Sequence, residues 1–414
     1  MTKVHNSKNI LNIVVIVAAL GYFVDIYDLI LFSIVRVPSL KAIGIADAEI
    51  KNAGIYLINM QMMGMLIGGI VWGILGDKRG RLAALFLTIL LYSLANIANG
   101  FAQNLQQYAW LRIIAGFGLA GELGIGITLV SEVMSKETRG WGTSIVSGVG
   151  IAGAVLAFFI AKWGWREAYW AGGVLGLLLL GLRIYVHESG MFDKVKEAKA
   201  SRGDFFSLFT NRKRFIKYIA CIFAGAPVWF VIGILVSFSK ELGEYLGIVN
   251  DAGQPEAINI GKAVMYHYIG ASFGSILTGY ISHKLRSRKK ALLIAISFVG
   301  LLCIIYFNAF GISSSMFFFI LFVLGIAQGY WAVIIAVASE QFGTNIRSTA
   351  TTTVPNFIRG ATVLMTLWWS SMSAGMGILR SAMIVGATVI ILALIAVFFL
   401  EESHGKDLDY IEVE

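Results

Sequence analysis

This sequence has little charge. Of 414 residues, 14% are Asp, Glu, Lys or Arg, where a soluble globular chain runs nearer ~25%. So few charges cannot cover a water-facing surface for a chain this long, which excludes the two or three soluble domains that ~150 residues per domain would suggest. Proline is scarce at 4 residues against 46 glycines, which excludes a disordered or collagen-like chain. The two cysteines, Cys221 and Cys303, stand far apart inside apolar runs. They form no disulfide framework and read as small packing residues. With 5 scattered histidines the chain offers no convincing metal-ligand cluster, and no cofactor is expected.

What is present is apolar. Hydrophobic residues make up 57% and aromatics 13%, with a mean hydropathy of +0.77. The apolar residues fall in long runs rather than in the alternation of an outer-membrane barrel. This is the composition of an all-α integral membrane protein. Runs long enough to cross a ~30 Å hydrocarbon layer lie near 11–35, 54–76, 82–101, 107–133, 142–161 and 167–187. They resume near 215–239, 258–282, 290–310, 314–339, 350–373 and 378–400. The count is twelve transmembrane helices. The segment MTKVHNSKN is polar and basic, and the run after it is too long for a signal peptide and has no small-residue cleavage site.

The net charge of +9 invites a nucleic-acid reading, but the Lys and Arg sit in short loops between apolar runs. Lys78, Arg79, Arg81, Lys136, Arg139, the stretch from Lys194 to Lys217 and the cluster from Lys284 to Lys290 fall on one side. By the positive-inside rule that side is cytoplasmic, and both termini lie on it. A multi-pass protein of the cell membrane, the bacterial inner membrane, is expected, as is a monomer. Its partners would be a small-molecule substrate, protons and the lipid bilayer, with no nucleic acid.

The charged stretch 189–214 divides the chain into two six-helix halves, 1–188 and 215–414, the second ending in a short cytoplasmic tail. The halves repeat. Gly64, Gly68 and Gly73 recur 206 residues on as Gly270, Gly274 and Gly279. Glu132 and Arg139 of SEVMSKETRG recur 208 residues on as Glu340 and Arg347 of SEQFGTNIRS. Pseudo-symmetric halves of this kind hold substrate between them near the midplane and rock about it. The glycines have a plainer use as well, since small residues at this spacing let helices approach closely.

After the second run stands Gly73-Ile-Leu-Gly-Asp77-Lys-Arg-Gly80-Arg81. This resembles the cytoplasmic signature of the major facilitator superfamily, and Arg112 followed by a glycine run is another pattern of that superfamily. Glu188 after the sixth run and the tail from Glu401 to Tyr410 extend the likeness over essentially the whole chain. Asp77 could hold a helix N-terminus or a basic partner across the halves when the inside is closed. The second copy has His283 where the acid stands in the first. In the first run, Asp25-Ile-Tyr27-Asp28 looks like the Asp-x-Tyr-Asp stretch of phosphate:proton symporters and, more loosely, the two-acid pattern of aromatic-acid:proton symporters. The run from Gly116 to Glu132 resembles the phosphate family's glycine-rich stretch, with Glu122 for its Asp and Leu123 for its Tyr. Arg359 occupies the place of that family's substrate-binding Lys. Gly116-Phe-Gly118-Leu-Ala-Gly121 formally matches a dinucleotide fingerprint, but no strand precedes it, so an enzyme is not expected.

Depth follows from ~1.5 Å of rise per residue. Asp25 lies about fourteen residues into the first run, near mid-bilayer, with Asp28 one turn further. Glu122, Arg359, Gln328, Trp229 and Asn356 fall in or near the same layer. Intramembrane ions cost ~3 kcal/mol or more and point to function by default. A carboxyl there can take up and release a proton as its surroundings change. Arg359 cannot lose its proton and is cast as a fixed anion site; its repeat counterpart is Ile151. Plainer readings stand beside these. Asp28 could pair with Arg112, Arg359 could neutralise a buried acid, His267 could pack rather than relay protons, and Trp229, Tyr330 and Trp331 could pack rather than line a ligand.

The leading expectation is alternating-access, proton-coupled symport of a small anionic solute such as phosphate, an organic acid or a sugar acid. Asp25, Asp28, Glu122 and Arg112 would serve coupling. Tyr27, Trp229, Gln328, Trp331, Asn356, Arg359 and His267 would bind substrate. Gly73, Asp77, Gly80, Arg81, Glu132, Arg139, Glu188, Glu340 and Arg347 would serve the gate. The alternatives are a carrier or antiporter of a cationic, zwitterionic or neutral solute, such as a drug, a betaine-like compound or a sugar, and a ligand-sensing receptor. The linker, at about 25 residues, leaves a receptor no room for a signalling domain.

Overall fold

The computed structural model describes residues 13–135, 138–182 and 203–412. A chain in hydrocarbon must satisfy its own backbone, and the helix does so within one segment. The first half contributes α1 (Ile13–Ala42), α2 (Ile50–Arg79), α3 (Arg81–Asn99), α4 (Leu105–Leu119 and Glu122–Val133), α5 (Arg139–Ile151 and Gly153–Ile160) and α6 (Trp165–Leu182). The second contributes α7 (Arg212–Phe230, continued by a π turn at Val231–Val236), α8 (Ile260–Lys284), α9 (Arg288–Phe307), α10 (Ser314–Gln328 and Trp331–Glu340), α11 (Arg347–Met376) and α12 (Ile378–Phe399).

Helix starts at the bundle ends carry side-chain caps. Asn104, Asn211, Asn259, Ser287 and Ser313 each accept a hydrogen bond from the first turn they precede. Among the described residues, nine of the rods are long and apolar enough to cross a membrane by length and composition. Within the same residues α6, α8 and α11 fall short of that: the described part of α6 opens on Trp165-Arg-Glu, and α8 and α11 bring polar faces into the interior, with His267 and Tyr268 on α8 and Thr349, Thr351, Thr352 and Thr353 on α11 all buried. α1 and α11 extend past the apolar runs, α1 as far as the exposed Lys41 turn and α11 from the buried Arg347 to Met376.

The repeated glycines have matching jobs in the two halves. A Cβ on Gly64 or Gly68 would strike the backbone of α4 at Ile113 or Phe117, and one on Gly270 or Gly274 would strike α10 at Phe322 or Ile326. These four bind helices within each half. The third glycine of each set works between halves: a Cβ on Gly73 would lie 3.0 Å from Thr349 Cα on α11, and one on Gly279 would lie 2.2 Å from Ser144 Oγ on α5. The breaks repeat too. α4 is interrupted at Ala120–Gly121 and α10 at Gly329–Tyr330; Ala120 O meets Asn356 of the other half, whereas Gly329 packs on the Gly274 backbone of its own half.

Candidate functional site

Three layers of polar contact join the halves, and the first lies at the end that holds the C-terminal tail. Here α2 ends because Gly80 adopts φ +106°, a conformation open to glycine, and α3 starts at once with Arg81. Asp77 is thereby aimed at the first turn of α11. Its carboxylate accepts from Ser348 N (3.1 Å), Thr349 N (2.8 Å) and Thr349 Oγ1 (2.7 Å), so an acid of one half caps a helix of the other. Glu132 bridges the halves beside it, 2.9 Å from Arg81 and 3.3 Å from Arg347. Arg347 also donates to the tail at the Leu408 carbonyl.

The second copy is built differently. Glu340 pairs with Arg288 (3.0 Å) and accepts from Ser403 of the tail (2.7 Å), both within its own half. His283 offers no carboxylate to α5; its ring stands 6.1 Å from Trp141. The backbone of Arg139 opens α5, its side chain and Glu188 lying outside the described residues.

The second layer is central. Arg359 of α11 and Asp25 of α1 approach to 3.4 Å, both fully buried. The guanidinium carbon lies 5.8 Å from the Trp229 ring and 5.9 Å from the Trp331 ring. Trp331 donates through Nε1 to Tyr22 Oη (2.8 Å), tying the α10 break to α1. Asp25 leaves Oδ1, and Arg359 leaves Nε and Nη1, without a hydrogen bond. Glu122, first residue after the α4 break, is buried and acts electrostatically on Asp25. Asn356 donates to Ala120 O (2.7 Å) in that break, a contact made possible by Gly69, whose Cβ would lie 2.8 Å from Asn356. Beside the ion pair is a narrow cavity walled by Tyr22, Trp229, Trp331, His267, Tyr268 and Gln328, together with Ile151. The repeat counterpart of Arg359 thus lines the cavity with an apolar side chain.

Not every predicted residue joins this cluster. Tyr27 points into its own half and donates to Ala168 O on α6 (2.8 Å). Asp28 lies on that side also, against Gly172, where a Cβ would meet its carboxylate at 2.1 Å. Its oxygens accept no hydrogen bond. Arg112 forms no ion pair with it, donating instead to Gln61 Oε1 and to Tyr169 Oη (3.3 Å), with its guanidinium 5.0 Å from the Phe32 ring. Tyr22 and Tyr268 were not singled out from sequence. Tyr22, three residues before Asp25, shares its helix face, which was the available signal.

The third layer closes the end far from the tail, and sequence reading missed it. Arg36 of α1 is fully buried, and its Nη2 donates to both carboxylate oxygens of Glu241, at 2.8 Å and 3.1 Å, in the short helix Ser239–Leu246 that follows α7. Its guanidinium lies 4.5 Å from the Phe238 ring, and Ser33 meets Ser237 at 3.1 Å. Thr366 of α11 donates to Asn59 of α2 (3.0 Å). Arg36 falls just past the first apolar run, 11–35, so spacing alone leaves it outside; α1 runs on to Ala42 and buries it. The halves are therefore bridged at both ends with the central cavity between.

Relatives of known naming match nearly the full chain. A probable 4-methylmuconolactone transporter of Cupriavidus pinatubonensis is 27% identical over 343 residues, covering 80% of this chain and 76% of that protein. The 3-(3-hydroxy-phenyl)propionate transporter of Escherichia coli K12 is 29% identical over 385 residues, covering 89% and 91%. Among solved structures, the proton:xylose symporter XylE superposes with a TM-score of 0.74 at 18% identity, covering 98% of both chains. The family model of the Major Facilitator Superfamily matches residues 18–352, and with its twelve rods in two repeated halves the chain belongs to that superfamily, a multi-pass membrane transporter of small molecules.

Proposed function

We propose that this transporter is a symporter that carries one proton with one organic acid, working as a monomer in the bacterial inner membrane with its tail end in the cytoplasm. The observation that carries the reading is the buried pair of Asp25 and Arg359. A guanidinium out of water needs an anion, and leaving it alone costs about 3–5 kcal/mol. In the empty carrier Asp25 supplies that anion. A proton on Asp25 removes it, and the acid group of the solute then takes its place on Arg359, whose Nε and Nη1 are without partners. Neutral combinations, empty with the ion pair or loaded with proton and acid, avoid an uncompensated charge while the halves rock. Coupling follows from that exclusion.

The cavity favours an acid with an apolar, ring-like body over inorganic phosphate. Two indoles and two phenols give flat apolar walls for such a body, whereas phosphate presents nothing to bury against them. The names of the relatives, one a muconolactone carrier and one a carrier of a phenylpropionate, agree with this class. Proton uptake on binding tests the reading. Benzoate added to the weakly buffered, detergent-solubilised protein should draw about one proton from solution per molecule bound, and Asp25→Asn should bind benzoate with no proton uptake. Binding without proton uptake in the wild type would contradict it.

A further inference from the structure

On the outside of the second half, α7 and α12 leave a groove of about 300 Å³ between them, lined by apolar side chains. Its floor is made by the small, buried Ala220 and Ala396, and its walls by the larger, exposed Phe215, Phe223, Ile395 and Phe399. Phe215 stands three residues into α7, and Phe399 is the last residue of α12. The groove therefore begins at the tail-side edge of the hydrocarbon and runs inward to Phe223, a length of ~12 Å at ~1.5 Å per residue. Above its mouth are cations without partners. Arg212 opens α7 and lies on the stripe of Ile216, Ile219 and Phe223, which a 3.6-residue repeat puts on one face and which line the groove. Helical side chains lean toward the N-terminus, and that direction carries the Arg212 guanidinium out to headgroup depth. Lys213 follows it. Both are exposed, and neither has an acidic partner among the described residues. Glu401, at the end of α12, is taken by Lys217 (3.2 Å) and Lys406 (3.9 Å). The Phe209 ring, 5.9 Å from Phe215, carries the apolar wall past the start of α7.

We propose that this groove holds one acyl chain of an anionic phospholipid from the leaflet on the tail side, with the lipid phosphate on Arg212 and Lys213. The shape selects a chain, because two alanines between phenylalanine walls leave a narrow apolar slot at hydrocarbon depth. The charge selects the headgroup, because basic residues at the membrane end of a helix attract anionic lipid at short range. A zwitterionic headgroup brings its own cation to the same place. A second copy of the chain fits the face less well. A two-fold contact about an axis along the membrane normal would set Arg212 and Lys213 against the same cations of the other copy. The lipid site is independent of the solute, of the proton and of the central cavity.

Native mass spectrometry of the full-length protein, with equimolar phosphatidylglycerol and phosphatidylcholine of the same chains in the detergent, reads which lipid stays bound. Wild-type protein should retain one phosphatidylglycerol about tenfold more often than phosphatidylcholine. Arg212→Gln with Lys213→Gln should bring that ratio below about twofold, since both headgroup cations are gone. Lys284→Gln with Arg286→Gln, on the α8–α9 loop at the same end, should leave the ratio at its wild-type value. Ala220→Leu and Ala396→Leu each fill the groove and should each retain one lipid fewer; two positions guard against one variant that fails to fold. Equal retention of the two lipids by the wild type would overturn the proposal. So would a preference that survives the loss of Arg212 and Lys213, that falls equally with Lys284 and Arg286, or that persists in both filled grooves. A dimer retained in place of lipid, and lost when the groove is filled, would assign this face to a second copy and overturn it as well.

Discussion

Arg359 shows how far a single position can be read from its chemistry. Its charge is permanent, its depth places it at the centre of α11, and its repeat counterpart is Ile151, so the pseudo-symmetry does not demand it. In the structure it touches Asp25 at one corner and lies within 6 Å of two indoles. Arg359→Lys keeps the charge and loses the planar fork, so benzoate binding should weaken more than tenfold, a loss of at least ~1.4 kcal/mol. Arg359→Gln should cost more and flatten the preference for benzoate over benzamide. If the arginine only neutralises Asp25, the double variant Arg359→Gln with Asp25→Asn would recover acid transport; the account predicts no recovery. Asp25, Arg359 and Trp229 were legible because depth and residue type place them in one layer, and the structure brings the three together. The facing of Tyr27 was not, since a helix one turn deep in polar and aromatic residues does not say which of them turns toward its own half.

At the level of elements, the repeat tells which helices meet and the exceptions to it tell where the halves are held. The glycine sets predicted close helix pairs from spacing alone, and the partners then divided into two within a half and one between halves. Asp77 on the N-terminus of α11 has no acidic counterpart at His283, so the latch at the tail end is one-sided. Asp77→Asn should weaken it by about 1.5–3 kcal/mol, the worth of a hydrogen bond to a charged group. Spin labels on the tail-end termini of α2 and α11 should then report a larger separation; an unchanged distance distribution would make Asp77 a local cap. The opposite end makes a parallel case with Arg36 and Glu241, which lie 205 residues apart and whose pairing no local pattern reveals. Glu241→Arg alone should open that end and leave Arg36 facing a like charge. The exchanged pair, Arg36→Glu with Glu241→Arg, should restore closure by the same distance measurement. A swap that behaves like the single variant would assign Arg36 to packing against Phe238 instead.

For the molecule as a whole, the two ends and the centre form one device. The tail-end cap and the central and far-end ion pairs all join the first half to the second, so alternating access requires each end to release in turn while the centre stays compensated. Twelve spans and their repeat could be counted from apolar runs, because the bilayer fixes helix length. The far-end closure could not, because it depends on a contact between residues 205 positions apart in different halves. The account turns on the claim that one carboxyl group, Asp25, makes proton and acid travel together. The direct measurement is uptake of labelled benzoate into sealed proteoliposomes with an alkaline interior. Wild-type protein should accumulate the acid above its external concentration and lose that accumulation when the pH gradient is collapsed, while Asp25→Asn should exchange acid between equal pools and accumulate none. Gradient-driven accumulation by Asp25→Asn at the wild-type level would contradict the account.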